Sequence, residues 1–321
     1  MEMQASPDAM MPLRIAAAVH VAEGIRSFEL VRPDGAELPP FTPGSHVKVQ
    51  APNGAVRKYS LCNDAGDRSR YVIAVKREAN GQGGSISLVD DAQPGDTLPT
   101  SLPDNAFPLA DAPGYIFIAG GIGITPILSM IRSFGELPPA PWKLYYFTQS
   151  PQSTAFLDEL SAPDLPGRAC LHHDYGDPAR SFDLWPVLER PSGAHIYCCG
   201  PRGLMEAVRD MTGHWPHANV HFESFSEGGG VQADDRPFVV TLARSQRSFE
   251  VPVGKSILTV LRDGGCDTVS SCESGTCGTC RTGLLAGEAD HRDMVLMPDE
   301  MATQIMICVS RARSPEIVLD L

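Results

Sequence analysis

Three cysteines crowd into the nine residues Cys272-Glu-Ser-Gly-Thr-Cys277-Gly-Thr-Cys280, and Cys308 follows after residues 281–307. This C-x4-C-x2-C spacing with a distant fourth thiol is one used to hold a two-iron, two-sulfur cluster. Four thiolates must surround two irons, and three of them can come from one loop wrapped tightly round the metal. Gly275 and Gly278 permit the positive φ angles that such wrapping needs. Backbone N–H groups of the loop can then donate to the sulfurs and tune the potential. A single zinc ion takes paired short spacings, which the x4 gap and the lone distant Cys308 fit less well.

The compartment bears on the same question. The start, Met-Glu-Met-Gln-Ala-Ser-Pro-Asp-Ala-Met-Met-Pro, has no positively charged region and no long apolar run, unlike a signal peptide. No stretch approaches a membrane span, so a cytoplasmic protein with no membrane association is expected. Disulfides are rare in that setting, and nine cysteines point to ligation or burial. Cys62, Cys170, Cys198, Cys199 and Cys266 read mainly as packing residues. A hydrophobic content of 42% with 20% charged residues is that of an ordinary globular protein, long enough at 321 residues for two or three domains. The formal charge of −13 is spread over the chain and no third is basic, so a nucleic-acid partner is not expected.

The chain divides on pattern. The glycine-rich, charged Ser226-Glu-Gly-Gly-Gly-Val-Gln-Ala-Asp-Asp-Arg236 reads as a linker. A second boundary falls near Leu109–Gly114. Before it, alternating runs such as Ser45–Gln50 and Arg70–Arg77, separated by turn residues, predict an antiparallel β-barrel. After it, strand candidates at Tyr115–Ala119, Lys143–Thr148, Ala169–His173 and His195–Cys199 alternate with helical patterns, one at Leu204–Met211. That alternation predicts an α/β domain with a parallel sheet. The expected segments are 1–112, 113–226, a linker at 227–236, and 237–321, where short α+β elements surround the cysteines.

Two motifs suit a bound nucleotide. Arg57-Lys58-Tyr59-Ser60 offers a positive charge, an aromatic face and a hydroxyl within one extended run, although any barrel strand alternates its faces in this way. Gly83-Gly84-Ser85 precedes Ile86-Ser-Leu-Val, a candidate short helix whose free N–H groups would receive a phosphate; a hairpin loop uses glycines equally well. Further on, Gly120-Gly121-Ile-Gly123-Ile-Thr125-Pro126 departs from the dinucleotide fingerprint G-x-G-x-x-G, because Pro126 replaces the third glycine and no acidic residue follows at the usual distance. Its physical use survives. Gly121 and Gly123 leave room for close approach, while Thr125 suits an N-cap and Pro126 the first helical position.

Taken together, these residues carry a resemblance. Residues 237–321 resemble a plant-type ferredoxin, down to the returning Cys308-Val-Ser-Arg. Arg-x-Tyr-Ser, then Gly-Gly-Ser, then Gly-Gly-x-Gly-x-Thr-Pro is similar to the ferredoxin-NADP reductase superfamily. The order of flavin barrel, nicotinamide domain and ferredoxin resembles its phthalate dioxygenase reductase group over nearly the whole chain. The strings Arg209-Asp-Met-Thr-Gly-His-Trp-Pro216 and Gly287-Glu-Ala-Asp-His-Arg-Asp-Met-Val-Leu296 share in it without a catalytic reading of their own.

The resemblance implies an FMN-binding barrel (FAD is not excluded by the residues), an NADH domain and a ferredoxin carrying one 2Fe-2S cluster on Cys272, Cys277, Cys280 and Cys308. Arg57 and Ser85 would hold the flavin phosphate with Lys58, Gly83 and Gly84 nearby. Tyr59 would pack on the isoalloxazine and Ser60 would sit near N5. Ala74, Val75 and Lys76 would line the ring or the phosphate side, and Thr125 would contribute to both nucleotides. Phe225, equally readable as a core aromatic, would lie against the flavin.

NADH would meet Gly121, Gly123, Thr125 and Pro126, with Cys199, Gly200 and Pro201 framing the nicotinamide. Asp174, in His172-His173-Asp174, would accept from the ribose hydroxyls and repel a 2′-phosphate. His172 and His173 make a poor metal pair, because adjacent strand residues face opposite ways. The implied function is an NADH-dependent oxidoreductase passing electrons through flavin and cluster to the Rieske oxygenase component of an aromatic-ring dioxygenase, through a transient encounter, with no general acid or base required. The alternatives are the reductase of a related aromatic O-demethylase or monooxygenase, and a non-catalytic iron–sulfur redox sensor.

Overall fold

In a computed structural model, residues 10–79, 81, 83–135, 139–162, 168–225, 232 and 234–321 are described. The chain start 1–9, Gln82 in the glycine loop, and 226–231 and 233 of the predicted linker lie outside the described residues. The chain forms two compact units, Met1–His221 and Phe222–Leu321.

The first unit begins with an antiparallel barrel of β1 (Met10–Ala22), β2 (Ile25–Val31), β3 (His46–Gln50), β4 (Val56–Ser60), β5 (Tyr71–Lys76) and β6 (Thr97–Ser101). The strand order is β4-β3-β6-β1-β2-β5. A bridge from Leu61 to Ile73, with the Cys62 N–H donating to the Val72 carbonyl at 2.8 Å, brings the two edges together and closes the sheet, which removes exposed strand edges. Helix α1 (Gly84–Asp91) plugs one side, with Leu88 and Val89 in the barrel core beside Leu13, Ile15, Phe28 and Leu30.

The parallel sheet follows: β7 (Tyr115–Gly120), α2 (Ile124–Ser133), β8 (Trp142–Thr148), α3 (Leu157–Leu160), β9 (Ala169–His173), α4 (Trp185–Leu188), β10 (His195–Cys199), α5 (Arg202–Met211) and β11 (Val220–Glu223). Their order is β11-β10-β7-β8-β9, with β10, β7, β8 and β9 all parallel. Central β7 and β10 are buried along almost their whole length, as a strand covered on both faces must be.

The barrel and the sheet share a core because β5 faces both ways. Tyr71, Ile73 and Val75 point into the barrel, whereas Val72 and Ala74 pack with Ile127, Leu128 and Ile131 of α2. Hydrogen bonds seal the seam: Ser129 Oγ donates to the Asn63 carbonyl at 2.9 Å and Arg132 Nη1 to the Cys62 carbonyl at 2.6 Å.

The second unit holds β12 (Phe238–Leu242), β13 (Arg247–Val251), α6 (Ile257–Asp263), β14 (Arg281–Ala286), β15 (Ala289–Asp290), β16 (Gln304–Met306), β17 (Arg311–Ala312) and β18 (Glu316–Leu319). Its main sheet runs β13-β12-β18-β14-β16, and β15 pairs with β17. Ile257, Leu258 and Leu261 of α6 cover the core. Asp235, inside the stretch expected to be linker, is held in this unit. Its side chain is 3% exposed and ion-paired with Arg292, which also meets Asp290 at 2.6 Å.

Candidate electron-transfer site

In the barrel, Arg57 and the glycine loop come together. A side chain at Gly84 would lie 3.3 Å from Arg57 Cγ and 3.2 Å from Ala55 Cβ, so α1 begins against the arginine. The helix starts one residue past Gly83 (φ 82°), earlier than the expected Ile86, and Gly84 and Ser85 fall inside its first turn. Among the described residues no side chain caps it, which leaves the N–H groups of that turn to be satisfied. Ser85 Oγ accepts from the Glu78 N–H at 3.2 Å, and the hydroxyl keeps its own proton for another acceptor. Arginine, hydroxyl and helix N-terminus are the donors a phosphomonoester needs, so the residues fit the flavin phosphate.

Tyr59 packs against the rim of the barrel core and Ser60 is buried. The Val75 side chain lies inside the barrel core, leaving only its backbone for a ligand, while Lys76 is exposed. Phe225, which follows β11, is 45% exposed and is not a core aromatic.

The second constellation lies where the sheet reverses direction. From β7 the chain proceeds outward through β8 and β9, then returns to place β10 on the other side of β7. Ligands of open α/β sheets bind in the crevice outside the strand ends at such a point. Here the ends of β7 and β10 interlock. A Cβ on Gly123 would sit 2.2 Å from the Cys199 carbonyl oxygen, and one on Gly120 would sit 2.5 Å from Pro201 Cδ. One on Gly200 would sit 2.9 Å from Gly120 Cα. Gly120 was missing from the expected set; only packing between strand ends 80 residues apart reveals it.

Two sequence expectations need correction. Thr125 is not an N-cap and Pro126 is not the first helical residue. Gly121–Gly123 forms a single 3-10 turn, α2 starts at Ile124, and Thr125, already in its first turn, donates to the Ile122 carbonyl at 3.0 Å. Gly121 has open space around it, and its φ of 53° by itself calls for glycine. Cys199 is fully buried, and its carbonyl oxygen lies against Gly123 where the two strand ends meet. Asp174 sits half-buried just past the end of β9, with Oδ1 accepting the Gly176 N–H at 2.8 Å.

Four of the five cysteines of the second unit form two pairs. The Cys272 N–H donates to Cys277 Sγ at 3.5 Å, and the N–H groups of Ser274 and Thr276 point at Cys272 Sγ at 3.4 and 3.5 Å. The Cys277 thiol holds the Cys272 pKa well below the thiol range, with help from Ser274 and against the effect of burial; Cys277 is pushed up in return. Cys280 and Cys308, 3% and 2% exposed, repeat the arrangement, with Cys280 lowered by its Cys308 hydrogen bond and Cys308 raised. Among the described residues no three His, Cys, Asp or Glu side chains converge as one metal ion would need. Two cysteine pairs, three thiols from one loop and the fourth from Cys308, are what a two-iron cluster requires, with two ligands to each iron.

The loop's wrapping is as its glycines predict: φ is 76° at Gly275 and 82° at Gly278. Glu273 also takes φ 57°, braced by Arg262 at 2.8 Å and Ser270 at 2.7 Å. The unassigned string 287–296 acquires a role here. The Met294 N–H donates to the Gly275 carbonyl at 2.9 Å, while buried Asp293 accepts from the Val295 and Leu296 N–H groups. The other string is structural: Trp215 Nε1 donates to the Leu188 carbonyl at 2.7 Å, and the Thr212 hydroxyl to the Val208 carbonyl at the end of α5.

Comparison with known proteins agrees with these geometries. Residues 240–313 match the 2Fe-2S iron–sulfur cluster binding domain family. The chain is 54% identical to the phthalate 4,5-dioxygenase oxygenase reductase subunit of Pseudomonas putida and to the phthalate dioxygenase reductase of Burkholderia cepacia, each over 98% of both chains. A solved structure of phthalate dioxygenase reductase, described as modular for electron transfer from pyridine nucleotides to [2Fe-2S], matches with a TM-score of 0.74, 54% identity and 98% coverage of each chain. Among the described residues no helix is long and apolar enough to cross a membrane. The chain belongs to the phthalate dioxygenase reductase family, oxidoreductases that combine a flavin and pyridine-nucleotide reductase fold with a 2Fe-2S domain.

Proposed function

We propose that this protein oxidises NADH and delivers its electrons singly to the Rieske oxygenase of a phthalate-type aromatic dioxygenase. The observation that carries the reading is the pairing, in one chain, of a dinucleotide crevice at the Gly123–Cys199 contact with two cysteine pairs suited to two irons. The oxygenase partner, and phthalate as its substrate class, rest on the relatives' names.

The division of labour extends to the residues. Residues 1–112 bind FMN: Arg57, Lys58, Ser85 and the first turn of α1 at Gly83 and Gly84 hold the phosphate, and Tyr59, Ser60, Ala74, Thr125, Lys76 and the Val75 backbone border the ring, with Phe225 as a further contact. Residues 113–226 bind NADH through Gly121, Gly123, Thr125, Pro126, Cys199, Gly200 and Pro201, with Asp174 on the adenosine ribose. The segment 227–236 connects to residues 237–321, whose Cys272, Cys277, Cys280 and Cys308 hold the cluster.

Bound flavin supplies the conversion of a two-electron hydride donor into one-electron steps. The chain's own work is placement. The helix start and Arg57 neutralise a phosphate dianion, the interlocked glycines admit a flat ring against bare backbone, and the loop N–H groups stabilise anionic sulfur.

The test is steady-state reduction of purified oxygenases from phthalate and vanillate systems by the purified protein, with NADH or NADPH as donor. The expected result is preference for NADH and for the phthalate oxygenase. Preference for NADPH removes Asp174 from its role, and preference for the vanillate oxygenase reassigns the pathway. A protein that reduces no acceptor is a sensor.

A further inference from the structure

The outer face of an antiparallel barrel is normally polar, and one stretch of this barrel is not. On β2 and β5, Phe28, Leu30, Tyr71 and Ile73 fill the interior, so the alternate positions Ser27, Glu29 and Val72 turn outward. Register adds their neighbours on the same face: Ser27 pairs with Val19, and Glu29 with Ala17 on one side and Val72 on the other. Val19 is left 58% exposed. These side chains, with Val21, line an open cavity of about 550 Å³. Its remaining lining includes Asp64, Asp67 and Arg70 from the turn between β4 and β5, Arg132 of α2, and Phe156. Cavities of this size hold small molecules.

Two features go beyond shape. Ser27 is only 8% exposed, lines the cavity, and has no hydrogen-bond partner for its hydroxyl among the described residues. A hydroxyl so placed is costly unless something in the cavity completes it. Phe156 takes φ 59°, an outlying conformation for a bulky residue, and is held there with the Arg132 guanidinium 5.3 Å from its ring centroid. Charge then decides the class of ligand. Arg70 is committed to Glu29 at 3.2 Å and Asp67 at 3.0 Å. Arg132 is committed to Glu159 at 2.9 Å and to the Cys62 carbonyl at 2.6 Å. Asp64 has no cationic partner among the described residues; its Oδ1 accepts the Gly66 N–H at 2.9 Å. Both cations of the lining are thus spent, and the charge left over is a carboxylate.

We propose that this cavity on the outside of the barrel binds a small organic cation, an aromatic amine that carries one further N–H or O–H donor. Its apolar body covers Ala17, Val19, Val21 and Val72, its ammonium is neutralised by Asp64, and its second donor meets the Ser27 hydroxyl oxygen. None of these residues belongs to the flavin, nucleotide or cluster sets, so the site is separate from the electron path.

The test is titration of the holoprotein with tryptamine, followed by ligand-observed NMR. Indole-3-propionate, the same ring on a carboxylate, is the probe of opposite charge. Tryptamine should saturate one site, and indole-3-propionate should bind at least roughly tenfold more weakly. Asp64→Asn keeps an oxygen for the Gly66 N–H, so its Tm should match the wild type while tryptamine affinity falls roughly tenfold. Ser27→Ala, which leaves the carboxylate in place, should lower affinity about fivefold. Equal binding of the two probes overturns the assignment to a cation. Wild-type affinity in both variants shows that tryptamine sits elsewhere and overturns the site, as does a wild-type protein that shows no saturation below about 10 mM tryptamine.

Discussion

The cysteine loop and the glycine crevice, the two sites proposed to hold redox groups, are built by opposite means. In the loop the chemistry is in the side chains: three thiols at fixed spacing, joined by Cys308, with backbone N–H groups aimed at sulfur. In the crevice the design lies in side chains left out: Gly120, Gly123 and Gly200 let two strand ends meet backbone to backbone. Side-chain sites fail by losing a ligand, whereas sites made of bare backbone fail by gaining an atom.

The largest effect should follow Cys308→Ala. It removes one member of the buried pair and leaves Cys280 alone, so iron and acid-labile sulfide content should fall close to zero while bound flavin stays at the wild-type level. Retention of a cluster with normal visible absorbance would mean that a different residue ligates the second iron.

The crevice sharpens the contrast with two glycines two residues apart. Gly123→Ala places a methyl 2.2 Å from a backbone oxygen and 2.8 Å from the Gly200 nitrogen, neither of which can move alone. It should cost at least about 3 kcal/mol of first-unit stability in urea unfolding. Gly121→Ala meets open space and pays only for its positive φ, about 1–2 kcal/mol. Equal costs would mean that the strand-end contact is looser than its geometry.

A smaller, pH-dependent effect belongs to β10 and β11. His221 stacks on Tyr197 at 4.4 Å, with its Nε2 3.1 Å from His195 Nδ1. Burial, then the neighbouring His195 and His217, lower its pKa from 6.5 to about 4. The folded protein therefore binds fewer protons here than the unfolded chain between those values, so this contribution is complete above 6.5 and is lost as pH falls toward about 4. Urea midpoints measured across that window should slope less in His221→Gln; an unchanged slope would place the titrating group elsewhere.

Much of this was legible in the sequence, and the omissions share a cause. Cysteine spacing brings Cys272, Cys277 and Cys280 together because chain distance inside one loop nearly equals distance in space. The barrel and parallel strands were readable from period-two and continuous apolar runs, as in Arg70–Arg77 and Tyr115–Ala119. The start of α2 was misplaced because Thr-Pro is a strong local cap signal, and a 3-10 turn through three residues overrode it. Gly120 was passed over because its partner, Pro201, lies 81 positions away. The bracing of the cluster loop by Asp293 and Met294 was invisible for the same reason: 287–296 has no chemistry until folding sets it against Gly275.

The account turns on electrons entering at the glycine crevice and leaving through the cysteine pairs. Anaerobic titration of the purified holoprotein with NADH, followed by visible absorbance and by electron paramagnetic resonance, tests this most directly. Flavin and cluster should both become reduced in the wild type, and the flavin alone in Cys308→Ala. A wild-type cluster that stays oxidised while the flavin is fully reduced by NADH would contradict it.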